Sequence, residues 1–288
     1  MLQPIGKRPV HCTDNFRPIT GSDVDREVLI QRVSDQLQAD DRIRGAWLSG
    51  SLARGTADEF SDVDVWLVVA ESEREALIKD WPTICDAITP TVLNQRVGSL
   101  PIFNAITPQW HRFDVVFGTP EEIPYRTRTT LKVLFDKDGL DDRLQDSGQP
   151  LAPDPARIRA LVTEFFRVLG LLPVAIGRGE YVLGVSGAGL LRTMLIQLML
   201  EDVAVEDRGG ALHLSPLLPP ERMRLLTELP AMSADRDSVV AVHVACAEAF
   251  LPLGRELAER TGVEWPTALD EACRARLNRD LGISLADS

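Results

Sequence analysis

Cysteine is sparse in this chain. The four in 288 residues, Cys12, Cys85, Cys246 and Cys273, are scattered with no Cys-x-x-Cys spacing, which argues against a zinc site and against a disulfide framework. A basic surplus is missing too. The 31 Lys and Arg against 43 Asp and Glu leave a net charge of −12, the wrong sign for a dedicated nucleic-acid binder. Residues 1–150 hold 17 basic and 24 acidic groups and residues 151–288 hold 14 and 19, so the acidity is shared and there is no polyanionic tail. The most apolar stretch, Leu190 to Leu200, is interrupted by Arg192 and Gln197 and falls short of a membrane span. Lys7 and Arg8 are followed by no apolar run, so the N-terminus does not read as a signal peptide. Internal repeats and low-complexity segments are absent. What remains is an ordinary globular composition, 44% hydrophobic and 26% charged, with length for about two domains. The expected location is the cytoplasm, with neither membrane nor nucleic acid as a partner.

Two halves differ in periodicity. Ser22, with Asp25 three residues on, suits the start of a helix with Val24, Val28, Leu29, Val33 and Leu37 roughly on one side. A short strand, Ala46–Leu48, leads into Gly50-Ser51, and Val63–Val69 reads as a second, β-branched strand. A helix around Glu73–Ala87 follows. Strands are then expected near Thr91–Val97, Pro101–Thr107, Arg112–Phe117 and Leu131–Phe135, the last closed by the turn Asp136-Lys137-Asp138-Gly139. Helices interleaved with strands imply an α/β (α+β) unit with a mixed sheet over residues 1–150. Asp142–Pro155 is polar and proline-containing and reads as a linker, with Asp154-Pro155 suited to open a helix. Residues 151–288 are helical in character throughout: Ala156–Leu169, a stretch around Gly187–Val203, Glu221–Leu229, and about Ala234–Arg260 stopped by Gly262. An all-α, helical-bundle domain is expected there.

The chemistry is concentrated between Leu48 and Val69. Asp62 and Asp64 are two apart in a strand pattern, so both side chains face one way while Val63 and Val65 face the other. Carboxylates about 7 Å apart along a strand converge on one hard cation from the same side, and their mutual repulsion calls for one. Asp114, inside Arg112-Phe-Asp-Val-Val, lies in a later strand that can run alongside and add a third carboxylate. Three acids on adjacent strands make a site for one or two Mg2+ ions, the arrangement used for in-line displacement at phosphorus. Gly50-Ser51 offers backbone N–H groups and a hydroxyl to a phosphate, Gly50 permits close approach, and Arg54 with Gly55-Thr56 adds charge and hydrogen bonds.

The pattern apolar–Gly50-Ser51, ten residues, Asp62-Val63-Asp64-Val65 and later Phe113-Asp114-Val115 resembles the signature of the DNA polymerase beta superfamily of nucleotidyltransferases. The match covers about residues 45–117, and the helical second half resembles that of small antibiotic nucleotidyltransferases of the aminoglycoside and lincosamide type. The resemblance implies a mixed-sheet catalytic domain and a helical C-terminal domain. It also implies Mg2+ held with a nucleoside triphosphate, ATP foremost, by Asp62 and Asp64, and phosphates held by Gly50 and Ser51. Asp114 would be the third metal ligand or the general base, with Glu121 and Glu122 as further candidates for the base. The implied reaction moves AMP, or another nucleoside monophosphate, onto a hydroxyl of a small acceptor, an antibiotic foremost. The rivals are a non-catalytic, antitoxin-like partner protein of the same fold and a transferase that places AMP on a protein. Self-association into a homodimer is left open.

Other residues are weighed against plainer roles. Arg178 or Arg192 could reach a triphosphate, and Glu180 or Tyr181 could line an acceptor pocket, but a polar helix start explains them as well. Arg126 and Arg128 could steer polyphosphate or simply flank a strand. Arg208 and His213 match a loose Arg-x4-His spacing, which two glycines between them turn into a loop. His243, in an apolar run, reads as a core histidine, and His111 is either near Asp114 or on the surface. Trp66 shares the face of the aspartates and either stacks on a ring or packs beneath the helices.

Overall fold

Leu29, Val33 and Leu37 recur at the helical interval, and all three are buried on α1, Ser22–Gln38. Val28, expected on the same side, is exposed, because one residue turns the helix by about 100° away from Leu29. The computed structural model describes residues 22–209 and 214–286, with side chains from Arg26 onward. The readings made for Lys7, Arg8, Cys12 and His213, and for the side chains of Ser22, Val24 and Asp25, lie outside that set.

Two compact units divide the chain, one ending at Ser147 and the other beginning at Gly148. In the first, α1 is followed by β1 (Ile43–Leu48), α2 (Gly50–Arg54), β2 (Val63–Val69) and α3 (Glu71–Ile88), then β3 (Leu93–Arg96), β4 (Ile102–Ile106), β5 (Arg112–Gly118) and β6 (Lys132–Asp136). They form one six-stranded sheet in the order β3-β4-β5-β2-β1-β6. β2 and β5 are parallel and the remaining neighbours antiparallel, so the sheet is mixed. Val63, Val65, Leu67 and Val69 point toward the helices and join Val33, Leu37, Leu77 and Trp81 in one core. Trp66 and Val68 face the other way and pack with Trp47, Ile123 and Leu131. The apolar side of β2 therefore lies under α1 and α3, and the opposite side is where Asp64 stands.

The second unit contains α4 (Pro155–Leu169), α5 (Leu172–Arg178), α6 (Tyr181–Glu201), α7 (Pro220–Glu228), α8 (Arg236–Thr261) and α9 (Thr267–Leu281). Their apolar residues share one core, with Phe165 and Phe250 stacked at 3.8 Å between ring centroids. Asp154 caps α4 by accepting from Ala156 N at 2.8 Å, ahead of Pro155. α6 starts at Tyr181, where a polar helix start is expected, and Gly184 within it allows close helix packing: a Cβ there would lie 2.6 Å from Val239 Cγ1. One expectation is overturned. The stretches Pro155–Arg178, Tyr181–Glu201 and Arg236–Thr261 are long and apolar enough to cross a membrane, by length and composition only. Arg192 and Gln197 do not end the apolar run as expected, because Arg192 is the sole charge in α6 before Glu201.

Candidate active site

Backbone pairing assembles the site. Asp64 on β2 lies directly opposite Asp114 on β5, and Asp114 lies opposite Asn104 on β4. Directly opposed residues share a face of the sheet, so Asp64, Asp114 and Asn104 form one row on the side away from α1 and α3. Asp62 precedes β2 by one residue and has the parity of Asp64. On the other flank, Ser49 N donates to Asp64 O at 2.9 Å, which delivers the turn at Gly50 to the same row. Gly50 has φ +62°, and a Cβ on it would fall 2.1 Å from Asp64 Oδ2. That position requires glycine twice over, for its left-handed backbone and for the carboxylate lying against it. Ser51 and Arg54 follow on α2, which Gly55 ends in the left-handed conformation.

The electrostatics are those of crowded acids. Burial pushes the Asp64 carboxyl up to about 6, and the charges of Asp62 and Asp114 add to this, while Arg54 and Arg112 partly oppose it. Asp114 is raised as well, chiefly by burial and then by Asp62, against a hydrogen bond from the Asn104 side chain and the charge of Arg112. Arg112 Nη2 stands 3.4 Å from Asp62 Oδ2 and donates to Phe60 O at 3.3 Å. As the side chains lie, no group of three His, Cys, Asp or Glu among the described residues closes into a metal cage. The donor set nevertheless fits a hard divalent cation: carboxylate oxygens only, mutually repelling, with the Asp64 carboxylate lying against the bare backbone of Gly50.

The register thus puts Asp114 on the face of Asp62 and Asp64, with Gly50 against Asp64 and the charge of Arg54 acting on it, and Ser51 next to Gly50 on α2. Glu121 and Glu122 are not in this group. They follow the far end of β5, and the stretch from Asp114 to Gly118 alone spans about 13 Å; Glu122 is 3.7 Å from Arg126. Trp66 is buried against Trp47 and covered by Arg126, 5.2 Å above its ring, so it packs and offers no stacking surface. Arg126 and Arg128 are engaged locally, Arg128 with Asp141 at 2.5 Å. His111 lies in the β4–β5 turn, two residues before Phe113. The neighbouring Trp110 has φ 69°, the sole positive value outside glycine among the described residues, and is 72% exposed.

In the helical unit, Arg192 donates to Leu226 O at 3.0 Å, a structural tie. Arg178 and Glu180 are exposed, and Tyr181 packs against the helical core. His243 is a core residue, 2% exposed, with Nδ1 2.7 Å from Val239 O and its pKa lowered by burial. Two members of the row were missed from sequence. Asn104, alone between Phe103 and Ala105 in an apolar strand, and Arg112, two residues before Asp114, both share the parity of the acids.

Residues 25–279 match the family model described as streptomycin adenylyltransferase. Comparison with curated protein sequences gives no match. Among solved structures, the chain is similar to an aminoglycoside 6-adenyltransferase from Bacillus subtilis, with 14% identity over 87% of this chain and 97% of that one and a TM-score of 0.41. It is also similar to a nucleotidyltransferase-like protein from Exiguobacterium sibiricum 255-15, with 11% identity, 90% and 88% coverage and a TM-score of 0.33. A CCA-adding enzyme in its apo form shows 12% identity, 90% and 72% coverage and a TM-score of 0.34.

Proposed function

The chain belongs to the streptomycin adenylyltransferase family, and from that premise we propose that it transfers AMP from ATP to a hydroxyl group of an aminoglycoside antibiotic, with Mg2+ as cofactor. The observation that carries the reading is the row in which Asp64 and Asp114 face each other across adjacent parallel strands, with Gly50 open against Asp64. The first unit is then the catalytic domain, and the helical unit is its C-terminal domain. The reading assigns the protein to the cytoplasm, where ATP is made available.

Asp62 and Asp64 are the residues that hold Mg2+, with Asp114 beside them. Bound there, the ion supplies neutralisation of the triphosphate and acidification of the acceptor hydroxyl. Gly50 lets the backbone approach the phosphates, and Ser51 and Arg54 add a hydroxyl and a positive charge to the same groups. The acceptor oxygen, held in line with the α-phosphorus, forms the new O–P bond as the bond to the β-phosphate oxygen breaks and pyrophosphate departs. Asp114 takes the hydroxyl proton. Burial raises its pKa and so makes it a stronger base than an ordinary aspartate. Asn104 fixes the direction of that carboxylate. The net charge of −12 favours encounter with a polycationic acceptor at low salt.

The test incubates the protein with Mg2+, labelled ATP and a panel containing streptomycin, other aminoglycosides and a lincosamide. Release of pyrophosphate that depends on an aminoglycoside, with a product heavier by one adenylyl group (AMP less water), supports the reading. Release with the lincosamide alone moves the acceptor class, and label appearing on a protein, or on nothing, overturns it.

A further inference from the structure

The helical unit carries a second feature, in which none of the three aspartates takes part. The end of α4, α5, the first half of α6 and α8 surround a cavity of about 310 Å3. Its lining is aliphatic, with Val168 and Leu172 buried and Leu183 and Leu190 exposed at its mouth beside the exposed Arg167, Arg178 and Glu180. One buried polar side chain lines it: His243, 2% exposed. Its Nδ1 is 2.7 Å from Val239 O. A carbonyl only accepts, so Nδ1 carries the hydrogen and Nε2 presents a lone pair. That lone pair has no hydrogen-bond partner among the described residues. Instead Nε2 faces Gly187, where an added Cβ would stand 3.3 Å away. Nε2 opens on a space of ligand size.

We propose that this cavity binds a small, uncharged, largely apolar molecule whose single hydroxyl donates to His243 Nε2. The donor is required because the imidazole offers only an acceptor on that side. The molecule is uncharged because the inner walls provide no partner for a buried charge. The aliphatic lining sets its apolar body, and the volume admits about two fused six-membered rings. The site lies wholly within the helical unit and stands or falls independently of the reading for the aspartates.

The probe is 2-naphthol, titrated into the full-length protein and followed by calorimetry and by ligand-observed NMR, with 2-methoxynaphthalene as the partner compound that keeps the rings and lacks the donor. The expected result is saturable one-to-one binding of 2-naphthol and at least tenfold weaker binding of the methoxy compound. Gly187→Ala places a methyl group in front of Nε2 and is expected to weaken 2-naphthol at least tenfold. Equal binding of the two compounds, absence of saturable binding, or indifference to Gly187→Ala overturns the proposal. The pair of ligands needs no variant, so the comparison decides even if Gly187→Ala fails to fold.

Discussion

The two units treat buried acids in opposite ways. In the helical unit each is met by arginine. Glu201, 1% exposed, has Arg157 and Arg208 at 3.1 Å. Asp270 receives Arg255 and Arg274 at 2.6 Å and Trp265 Nε1 at 2.9 Å, and Asp202 is bridged by Arg222 and Arg260. In the sheet unit the half-buried Asp62, Asp64 and Asp114 crowd one another with Arg112 reaching only Asp62, at 3.4 Å, and burial and repulsion lift Asp64 to about 6. Paired acids hold helices together. Acids that crowd one another ask for a counter-charge from outside the chain, and in the proposed function that is the role of Mg2+.

The sharpest break in that contrast is Asp64→Asn. Removing the charge is expected to lower acceptor-dependent pyrophosphate release on the order of 1,000-fold, because it deletes an interaction needed in the transition state. Thermal stability should hold or rise, since the lost charge was unfavourable in the fold. A variant that retains most of its turnover removes Asp64 from the mechanism. Asp270→Ala should do the reverse. It strands two arginines and an indole N–H, at about 3–5 kcal/mol of stability, read from the urea midpoint, while turnover per folded molecule stays near normal. An unchanged midpoint would mean that the helical network is decoration.

Gly50→Ala ranks third and joins the two kinds of effect. An alanine at φ +62° is strained by about 1–2 kcal/mol. Its methyl, 2.1 Å from Asp64 Oδ2, must push the carboxylate aside, a displacement that lowers turnover by about 100-fold. Urea denaturation and steady-state rates measured together check both parts. Loss of stability with full activity would show that the turn is structural only.

Much of this contrast was legible in the sequence, and the reason is periodicity. A period of two placed Asp62 and Asp64 on one face and the valines on the other before any fold was known, and β2 runs over Val63–Val69 as expected. Strand order is a different matter. Nothing local says that β5 inserts parallel to β2 with β4 beyond it, so Asn104 and Arg112 carried no visible role. α5 was lost behind Leu171-Leu172-Pro173. α9 was lost because its buried stripe is only Asp270, Cys273 and Leu277, one of them an acid whose arginine on α8 is fifteen residues away in sequence. Arg274, four residues on along the same helix, is visible in a single-sequence pattern, but Arg255 and Trp265, which complete the burial of Asp270, are not.

The smallest expected effect is the most direct comparison of the two kinds of acid, because pH moves them in opposite directions. Asp64 has a folded pKa of about 6 against an ordinary value of 3.8, so between these values the folded state binds more protons than the unfolded one. Its contribution to stability therefore falls as pH rises through that window. For Asp202, burial pulls upward but Arg222 and Arg260 prevail, and its pKa lies below 3.8. Its contribution is present above the ordinary value and is lost as pH falls through the folded one. Melting temperatures of the native chain, Asp64→Asn and Asp202→Asn across pH 3 to 8 separate the cases. Asp64→Asn should exceed the native chain by most at pH 7–8 and converge with it near pH 4, whereas Asp202→Asn should lie below it at neutral pH and converge only in stronger acid. Mg2+ at pH 8 should raise the melting temperature of the native chain and leave Asp64→Asn unmoved, since the ion stabilises only the form that binds it. Parallel curves for both variants would show that the two classes of acid are not physically distinct, and the site would lose its electrostatic argument.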